Sequence, residues 1–174
     1  MRIELEMSVL RDWRLDDGPS LVQHGNNRQI WRNLYDLFPH PYTPEDAGRW
    51  LALTKTAHPK THFAIEVDQA AVGGIGVTMG EGQFRHTGTV GFWLGEQYWG
   101  RGIMSEVLPV VTGDAFTRLG LTRVSATVFE WNLASMRVFE KAGYRREGVL
   151  RGSIAKDGQI IDQVVFAMLR DDRR

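Results

Sequence analysis

The sequence predicts an α/β fold in which helices cover a mixed sheet, and two kinds of pattern carry this prediction. In several short segments apolar residues alternate with polar or small ones, as in strands. Between these segments apolar residues recur every three or four positions behind helix-capping residues. From residue 89 onward the predicted order is strand, helix, strand, helix and two strands, which is typical of a mixed sheet packed against helices.

Length and composition fit one ordinary domain over residues 1–174. The chain has 43% hydrophobic residues and no cysteine, which excludes disulfides, thiolate zinc sites and cysteine nucleophiles. Lys and Arg total 21, as do Asp and Glu, and this balance argues against nucleic acid or an anionic membrane surface as a partner. The sequence has neither a signal-peptide pattern nor a long apolar segment, so we expect a cytoplasmic protein.

The first half of the chain is predicted to hold one strand, three helices and a β-hairpin. The predicted elements are a strand over 7–13, a short helix beginning near 16–19, an amphipathic helix over 30–38, a helix capped by Thr43, and a hairpin over 62–77. Thr43 is followed by a proline and two carboxylates, which favours a helix start there. Asp68-Gln69 is the predicted hairpin turn. The glycines of the second hairpin strand suit a close approach by a neighbouring backbone.

The second half of the chain alternates between strands and helices. The predicted elements are a strand over 89–94, the longest helix over 100–119, a strand from 124 to about 130, a short helix over 133–142 closed by Gly143, and two strands flanking Asp157-Gly158. Pro109 removes one backbone hydrogen bond inside the long helix, so we expect a bend there and not two helices.

A glycine-bearing turn between strand and helix, within residues 92–106, is the first candidate site. Free backbone N–H groups at a helix N-terminus can bind a phosphate, and Gly100 and Gly102 allow a ligand to approach the main chain. The same glycines fit a helix that only needs a flexible entry turn. The stretch is not a P-loop, because no Gly-Lys-Ser/Thr follows, and it lacks the third glycine of a dinucleotide fingerprint.

A second stretch, residues 130–144, follows the next predicted strand. Together the two stretches resemble the GNAT family of N-acetyltransferases, and the sequence is similar to the branch that acetylates the N-termini of ribosomal proteins. The resemblance covers most of the chain. It implies a mostly antiparallel central sheet of about six to seven strands with helices on both faces. It also implies acetyl-CoA as the cosubstrate and no metal.

The resemblance assigns the cofactor-binding residues. In this family a Gln/Arg-x-x-Gly-x-Gly/Ala turn binds the pyrophosphate, which here falls on Trp99, Gly100, Arg101, Gly102, Ile103 and Met104. Trp99 and Met104 depart from the family pattern, but the contacts are mostly made by backbone N–H groups. The preceding strand offers backbone groups to the pantetheine arm, here from Phe92, Trp93 and Leu94. Leu94 is the best candidate to polarise the thioester carbonyl, whereas a fully paired interior strand is the alternative.

The same comparison suggests the catalytic residues. Asn132 could bind the pantetheine amide, and Ser135, one helical turn later, could lie near the departing thiolate, although both also suit helix capping. Many relatives have a tyrosine acid where this chain has Phe139, so the role of acid passes to Ser135. Glu130 and Asp162 are the candidate bases. A solvated residue and an arginine partner are the respective alternatives.

Aromatic residues ahead of the Thr43 helix are the candidate acceptor site. The resemblance places an acceptor groove at Trp31, Tyr35, Phe38 and Tyr42, although such a stripe also fits a core and could serve a homodimer. The predicted reaction is direct acetyl transfer from acetyl-CoA to a primary amine, preferably a protein or peptide N-terminus. The alternatives are a small-molecule amine, such as a polyamine or an antibiotic, and a non-catalytic acyl-CoA-binding module.

Overall fold

The computed structural model describes residues 1–172, in which eight strands form one sheet. The strands are β1 (Arg2–Glu4), β2 (Val9–Asp12), β3 (His62–Val67), β4 (Ala70–Met79), β5 (Thr87–Leu94), β6 (Arg123–Phe129), β7 (Arg145–Lys156) and β8 (Gln159–Leu169). The helices are α1 (Gly18–Gly25), α2 (Arg28–Trp31), α3 (Pro44–Thr56), α4 (Ile103–Thr117) and α5 (Leu133–Lys141).

The strand order in the sheet is β1-β2-β3-β4-β5-β6-β8-β7. The β5–β6 pair is parallel, whereas the β1–β2, β2–β3, β3–β4, β6–β8 and β7–β8 pairs are antiparallel. The predicted mixed, mostly antiparallel α/β fold is confirmed. The additional strand is β1, whose sequence Arg-Ile-Glu is too short and too charged to show an alternating pattern. It pairs with β2 so that Ile3 lies opposite Leu10.

The described residues divide into two compact units. The first comprises Met1–Gly76 and Phe92–Val107, and the second comprises Val77–Gly91 and the residues from Leu108 onward. The expected single domain over residues 1–174 stays a prediction. In the first unit, Leu21, Tyr42, Ala47 and Leu51 form a buried cluster on which Trp13, Val22, Phe38, Trp50 and Trp93 pack. In the second unit, the ring of Phe139 stacks on Phe166 at 5.6 Å.

Local capping explains why α3 begins where the sequence predicts. Thr43 Oγ1 accepts a hydrogen bond from the backbone N–H of Asp46 at 3.3 Å, and Asp46 Oδ2 accepts one from the N–H of Thr43 at 2.9 Å. Pro44 occupies the first helical position, where its missing N–H has no cost. The reciprocal bonds satisfy donors that a helix start otherwise leaves unpaired.

The predicted helix over 30–38 is wrong beyond Trp31. Asn27 caps the short α2, and its Oδ1 accepts from Gln29 N at 2.7 Å. After α2 the backbone closes separate turns, such as the bond from Phe38 N to Tyr35 O at 2.9 Å. The spacing of the apolar residues was misleading because Leu37 does not face the core: it is 98% exposed.

The β3–β4 hairpin is confirmed, and its turn explains the register. Asp68 and Gln69 have φ values of 49° and 65°, the left-handed pair that a two-residue hairpin turn needs. A Cβ atom built on Gly73 would lie 2.6 Å from the carbonyl oxygen of Trp93. The glycine is therefore required by the close approach of β5 backbone, as its position in the sequence suggested.

His62 makes the stability of the fold sensitive to mild acid. Burial lowers the pKa of this histidine below its ordinary value of 6.5; its ring lies edge-on to Trp50 at 5.3 Å. As pH falls below about 6.5, the unfolded chain binds a proton that the folded chain does not, so stability falls with pH by at most about 1.4 kcal/mol per unit. Above about pH 7 the imidazole is mostly neutral in both the folded and the unfolded chain, so it no longer makes stability depend on pH.

We therefore expect His62→Phe to reduce the loss of thermal stability between pH 7.5 and pH 5.5. The matched control is His86→Phe, because His86 is exposed. Thermal unfolding of both variants and the wild type at the two pH values measures the effect. Parallel pH profiles for wild type and His62→Phe would show that the acid sensitivity arises elsewhere.

Candidate active site

The end of β5, a sharp turn and the start of α4 form the centre of the candidate site. A short 3-10 helix, Glu96–Tyr98, follows β5. Gly100 and Gly102 have φ values of 74° and 87°, a backbone conformation that favours glycine. They consequently lie outside the helix, and α4 begins at Ile103, three residues after the predicted start. The helix then continues unbroken through Pro109 to Thr117, and the expected bend stays a prediction.

This turn presents a row of unused backbone donors. Within residues 1–172, the N–H groups from Gly100 to Met104 have no hydrogen-bond acceptor, and the first bonds of the helix run from Ser105 and Glu106 to the carbonyl of Gly102 at 2.9 and 3.2 Å. The positive end of the helix dipole lies at the same place. Such a group of donors binds an anion, above all a phosphate.

One positively charged side chain lies beside these donors. Arg101 is exposed, and its guanidinium carbon lies 5.2 Å from the centre of the Tyr98 ring. This contact holds the cation close to the turn without neutralising it. The charge therefore adds to the attraction of the turn for an anion.

The indole of Trp99 fixes the turn to the end of β5. Its Nε1–H donates to the carbonyl oxygen of Leu94 at 2.7 Å, and the backbone N–H of Gly95 donates to Val72 O at 2.8 Å. Trp99 nevertheless remains 44% exposed, whereas Met104 is 6% exposed. The two departures from the family pattern are thus accommodated differently, one on the surface and the other in the interior.

The parallel ladder between β5 and β6 ends before β5 itself ends. Its parallel pairing with β6 runs from Thr87–Arg123 to Thr89–Ser125, while β5 itself continues to Leu94. Main-chain groups beyond Thr89 are outside this ladder. The parallel β5–β6 pairing therefore does not extend to Phe92–Leu94, and binding of pantetheine by the main chain of these residues stays a prediction.

In the second unit, the cap of α5 involves both Asn132 and Ser135. Asn132 Oδ1 accepts from the backbone N–H of Ser135 at 3.1 Å, so the capping interpretation of Asn132 is confirmed. The bond uses only the amide oxygen. Contact of the Asn132 amide group with pantetheine, and of the half-buried Ser135 hydroxyl with a thiolate, stay predictions.

The two aromatic residues near the end of α5 cannot supply a phenolic acid. Phe139 is 2% exposed and packs on Tyr144, with ring centres 5.1 Å apart. Tyr144 is also buried, and its hydroxyl is hydrogen-bonded to Thr112 Oγ1 at 2.6 Å. This hydroxyl is therefore committed to the core.

The structure brings the backbones of the two candidate bases together. Glu130 N donates to the carbonyl oxygen of Asp162 at 3.1 Å. The Asp162 side chain accepts from Gly152 N at 2.7 Å through Oδ1, across an irregularity of β7 between Leu150 and Ile154. Asp162 thus stabilises a β-bulge, whereas the side chain of Glu130 is exposed.

The four aromatic residues of the predicted acceptor site separate into surface and core. Tyr35 is 47% exposed, and the Trp31 ring lies 5.9 Å from that of His40. Phe38 stacks on Tyr42 at 4.8 Å, and Tyr42 is 4% exposed. Burial, reinforced by the Asp46 charge, raises the pKa of Tyr42 to about 12. The core alternative therefore holds for Phe38 and Tyr42, and their contact with an acceptor stays a prediction.

Sequence reasoning missed two polar residues that organise this region. Asn27 Nδ2 donates to Glu96 Oε2 at 2.6 Å, so the cap of α2 is joined to the turn after β5. Glu106, in the first turn of α4, accepts from Ser8 Oγ at 2.7 Å. An asparagine before a short apolar run is a capping signal. Nothing in the sequence relates Glu106 to a residue 98 positions earlier.

The residues that the structure describes give no sign of a metal or of a membrane span. Between residues 1 and 172, no group of three or more His, Asp or Glu residues is arranged to hold a metal ion. None of the helices in that part of the chain combines the length and the hydropathy that crossing a membrane requires.

Comparison with known proteins gives consistent matches. A family model described as an acetyltransferase (GNAT) domain matches residues 8–145. The uncharacterized N-acetyltransferase YokL, derived from the SPbeta prophage of Bacillus subtilis (strain 168), is 30% identical over 83% of this chain and 80% of its own length. The probable N-acetyltransferase YjcK of the same bacterium is 41% identical, but over 49% of this chain; the match spans 48% of YjcK.

The chain is also similar to solved structures. RimL, a ribosomal L7/L12 alpha-N-protein acetyltransferase solved in complex with coenzyme A, superposes with a TM-score of 0.86 over 99% of each chain. The sequence identity in this pair is 20%, so the likeness concerns the fold alone.

Proposed function

Because this chain belongs to the GNAT family of acetyltransferases and uses acetyl-CoA, we propose that it transfers the acetyl group directly to the α-amino group of a protein or peptide N-terminus. The observation that supports binding of acetyl-CoA in this proposal is the row of unused N–H groups from Gly100 to Met104 at the start of α4. The proposed location is the cytoplasm.

The residues of the turn suit the anionic part of the cosubstrate. We assign the pyrophosphate to the N–H groups of Gly100–Met104, with the charge of Arg101 beside them. The pantetheine arm is assigned to the main chain of Phe92–Leu94 and to the side-chain amide of Asn132. Apart from those of Asn132 and Arg101, these contacts come from the backbone, so they tolerate Trp99 in place of Gln or Arg.

The proposed reaction joins the amine nitrogen to the acetyl carbon and breaks the C–S bond, with the electron pair leaving on sulfur. The amine proton passes through water to the carboxylate of Glu130, or in the alternative to that of Asp162. The Ser135 hydroxyl donates a hydrogen bond to the departing sulfur and passes it a proton as it takes one from solvent, and the carboxylate base then releases the amine proton to solvent. A backbone N–H, best that of Leu94, polarises the carbonyl, a contribution of about 3 kcal/mol.

Charge and surface chemistry favour a peptide over a polyamine or an aminoglycoside. A polycationic acceptor calls for a strongly acidic groove, but residues 26–60 contain only Asp36, Glu45 and Asp46 as acids. Trp31 and Tyr35 instead provide aromatic surface. An α-amino group has a pKa of about 8 and is partly neutral at physiological pH without a strong base. A ribosomal-protein acetyltransferase of the same fold, RimL, sets the precedent.

The test is acetyl transfer to matched acceptors. Purified protein is incubated with acetyl-CoA and peptides whose N-termini are free or blocked, with spermidine and kanamycin in parallel, and products are identified by mass spectrometry. The proposal expects acetylation at the α-amino group of the free peptides alone. Modification of the small amines alone would support the small-molecule alternative, and CoA binding without any turnover would support a non-catalytic module.

We expect Glu130→Gln to lower kcat about tenfold at pH 7. This loss is smaller than the contribution that general bases often make, because the α-amine loses its proton readily. The defect should shrink toward pH 9, where the amine is already neutral. Initial rates at saturating acetyl-CoA between pH 6.5 and 9 measure it. Asp162→Asn, which keeps an oxygen for Gly152, is the matched comparison; a fall in its kcat beside an unchanged Glu130→Gln would transfer the role to Asp162.

A further inference from the structure

We infer that Glu106 is a positioning residue for acetyl-CoA: its carboxylate ties the first turn of α4 to Met7 and Ser8 and thereby fixes the N–H groups of the turn. Glu106 itself need not touch the cosubstrate. The inference rests on the proposed function, since the turn must be the pyrophosphate site.

The tie consists of several contacts between distant parts of the sequence. Ser8 Oγ donates to Glu106 Oε1 at 2.7 Å, and Met7 N lies 3.2 Å from the same oxygen and 3.4 Å from Oε2. The backbone N–H of Glu106 donates to the carbonyl oxygen of Gly102 at 3.2 Å. One residue thus holds the N-terminal segment with its side chain and the glycine turn with its main chain.

The anchor on the other side of the tie is firm. Ser8 is 6% exposed and directly precedes β2, which lies inside the sheet between β1 and β3. The carbonyl oxygen of Ser8 also accepts from Leu5 N at 2.9 Å. A segment held in this way can hold the start of α4 in place.

The side chain of Met7 also lies against the turn that carries the N–H donors. A Cβ atom built on Gly102 would lie 3.1 Å from the methyl carbon of Met7 and 3.7 Å from its sulfur. The side chain of Met7 therefore covers one side of Gly102. The glycine is confined by Met7 on that side and by the bond from Glu106 at its carbonyl.

This arrangement matters for ligand binding because the N–H groups of the turn have no protein partners among the described residues. N–H groups without protein partners have no bonds of their own to hold them in position, and a flexible turn must be ordered when the ligand binds. A turn fixed beforehand avoids that cost. The bonds from Met7 and Ser8 also occupy the carboxylate oxygens of Glu106, which directs its negative charge toward two donors.

The test compares Glu106→Ala, Glu106→Gln and Ser8→Ala with a control, Glu45→Ala. Glu45 is exposed in the first turn of α3, so its removal matches the loss of an acid near a helix start. The Kd for CoA is measured by calorimetry. KM for acetyl-CoA, KM for the peptide acceptor and kcat are measured with each variant.

We expect Glu106→Ala to raise the Kd for CoA and the KM for acetyl-CoA about tenfold, which corresponds to about 1.4 kcal/mol. The kcat at saturating acetyl-CoA and the KM for the acceptor should stay within about twofold of wild type. Ser8→Ala, a smaller change, should raise the same two constants about threefold. Glu106→Gln keeps an acceptor oxygen and should restore most of the affinity.

An unchanged Kd for CoA in both Glu106→Ala and Ser8→Ala would overturn the inference, whatever the thermal stability of these variants. A tie that is merely structural lowers the stability of the fold and leaves the affinity for CoA unchanged. An equal rise in the Kd for CoA in Glu45→Ala and in Glu106→Ala would also overturn the inference. Failure of the proposed acceptor is a separate outcome: there the wild type binds CoA but leaves peptide N-termini unmodified.

Discussion

Gly100→Trp is expected to weaken acetyl-CoA binding about 100-fold or more, equivalent to about 2.7 kcal/mol. Gly100 lies in the turn with φ at 74°, and a Cβ atom built on it has no neighbour within 4 Å. No neighbour among the described residues blocks a side chain at this position, but an indole there fills the space beside the unused N–H groups. The backbone N–H of residue 100 is retained, but the indole keeps the pyrophosphate from reaching the donors of the turn. Isothermal calorimetry with acetyl-CoA measures the loss.

Gly158→Trp is the matched control for this prediction. Gly158 has φ at 75°, and a Cβ atom built on it likewise has no neighbour within 4 Å, but it lies in the β7–β8 turn. The backbone strain of the two variants should therefore be similar, about 1–2 kcal/mol. Gly158→Trp should keep the wild-type affinity. Equal affinities in both variants would contradict the placement of the pyrophosphate at the Gly100 turn.

Arg11→Ala is expected to lower the free energy of unfolding by about 3–5 kcal/mol, because it removes the buried cation that pairs with two buried carboxylates. Arg11 is 2% exposed, and Asp17 and Glu66 are each 6% exposed. The guanidinium nitrogens lie 2.8 and 2.7 Å from the two oxygens of Asp17, and Nε donates to Glu66. Urea denaturation monitored by tryptophan fluorescence measures the change.

The control for Arg11→Ala is Arg14→Ala. The Arg14 side chain is 50% exposed, and its guanidinium lies 3.5 Å from Glu66, so solvent screens the pair and its loss should cost less than about 1 kcal/mol. Similar effects of the two substitutions would show that burial does not govern the network. Removing Arg11 also tests the order of α1, since Asp17 lies immediately before that helix.

The same network predicts acid sensitivity. Burial opposes ionisation of Glu66, but the bond and charge of Arg11 outweigh it, so the pKa of Glu66 lies below its ordinary value of 4.5. The folded state therefore keeps the carboxylate charged where the unfolded chain protonates it. The stabilisation is present above about pH 4.5 and is lost as the pH falls toward the folded-state pKa. Arg11→Ala should reduce this loss.

Local sequence determined the parts of the site that depend on neighbouring residues. The Thr43 cap, the Asp68-Gln69 turn and the glycines of the 100–102 turn are set by side-chain size and by hydrogen bonds over a few residues. For this reason the strand, turn and helix around Gly102 could be predicted, and with them the family and its cosubstrate. The Asn132 cap was equally readable, because its partner, Ser135, is three positions away.

Tertiary structure decided what depends on burial and on distant partners. The spacing of apolar residues predicted a helix over 30–38, and the family resemblance predicted an aromatic acceptor site, but neither reports which side chains face solvent. Packing left Leu37 exposed and took Tyr42 into the core. Asp162, a candidate base, accepts a hydrogen bond from Gly152 N, a contact that the sequence does not indicate.

The tie between Glu106 and Ser8 and the Arg11 network bring together residues far apart in the chain. Hydrogen bonds of this kind depend on geometry that only the complete fold creates. The sequence by itself therefore determined the turn, which follows from local conformation, and it indicated the family and the cosubstrate through its resemblance to known acetyltransferases. The fold decided which side chains support the turn, because burial and long-range contacts exist only after the chain has packed.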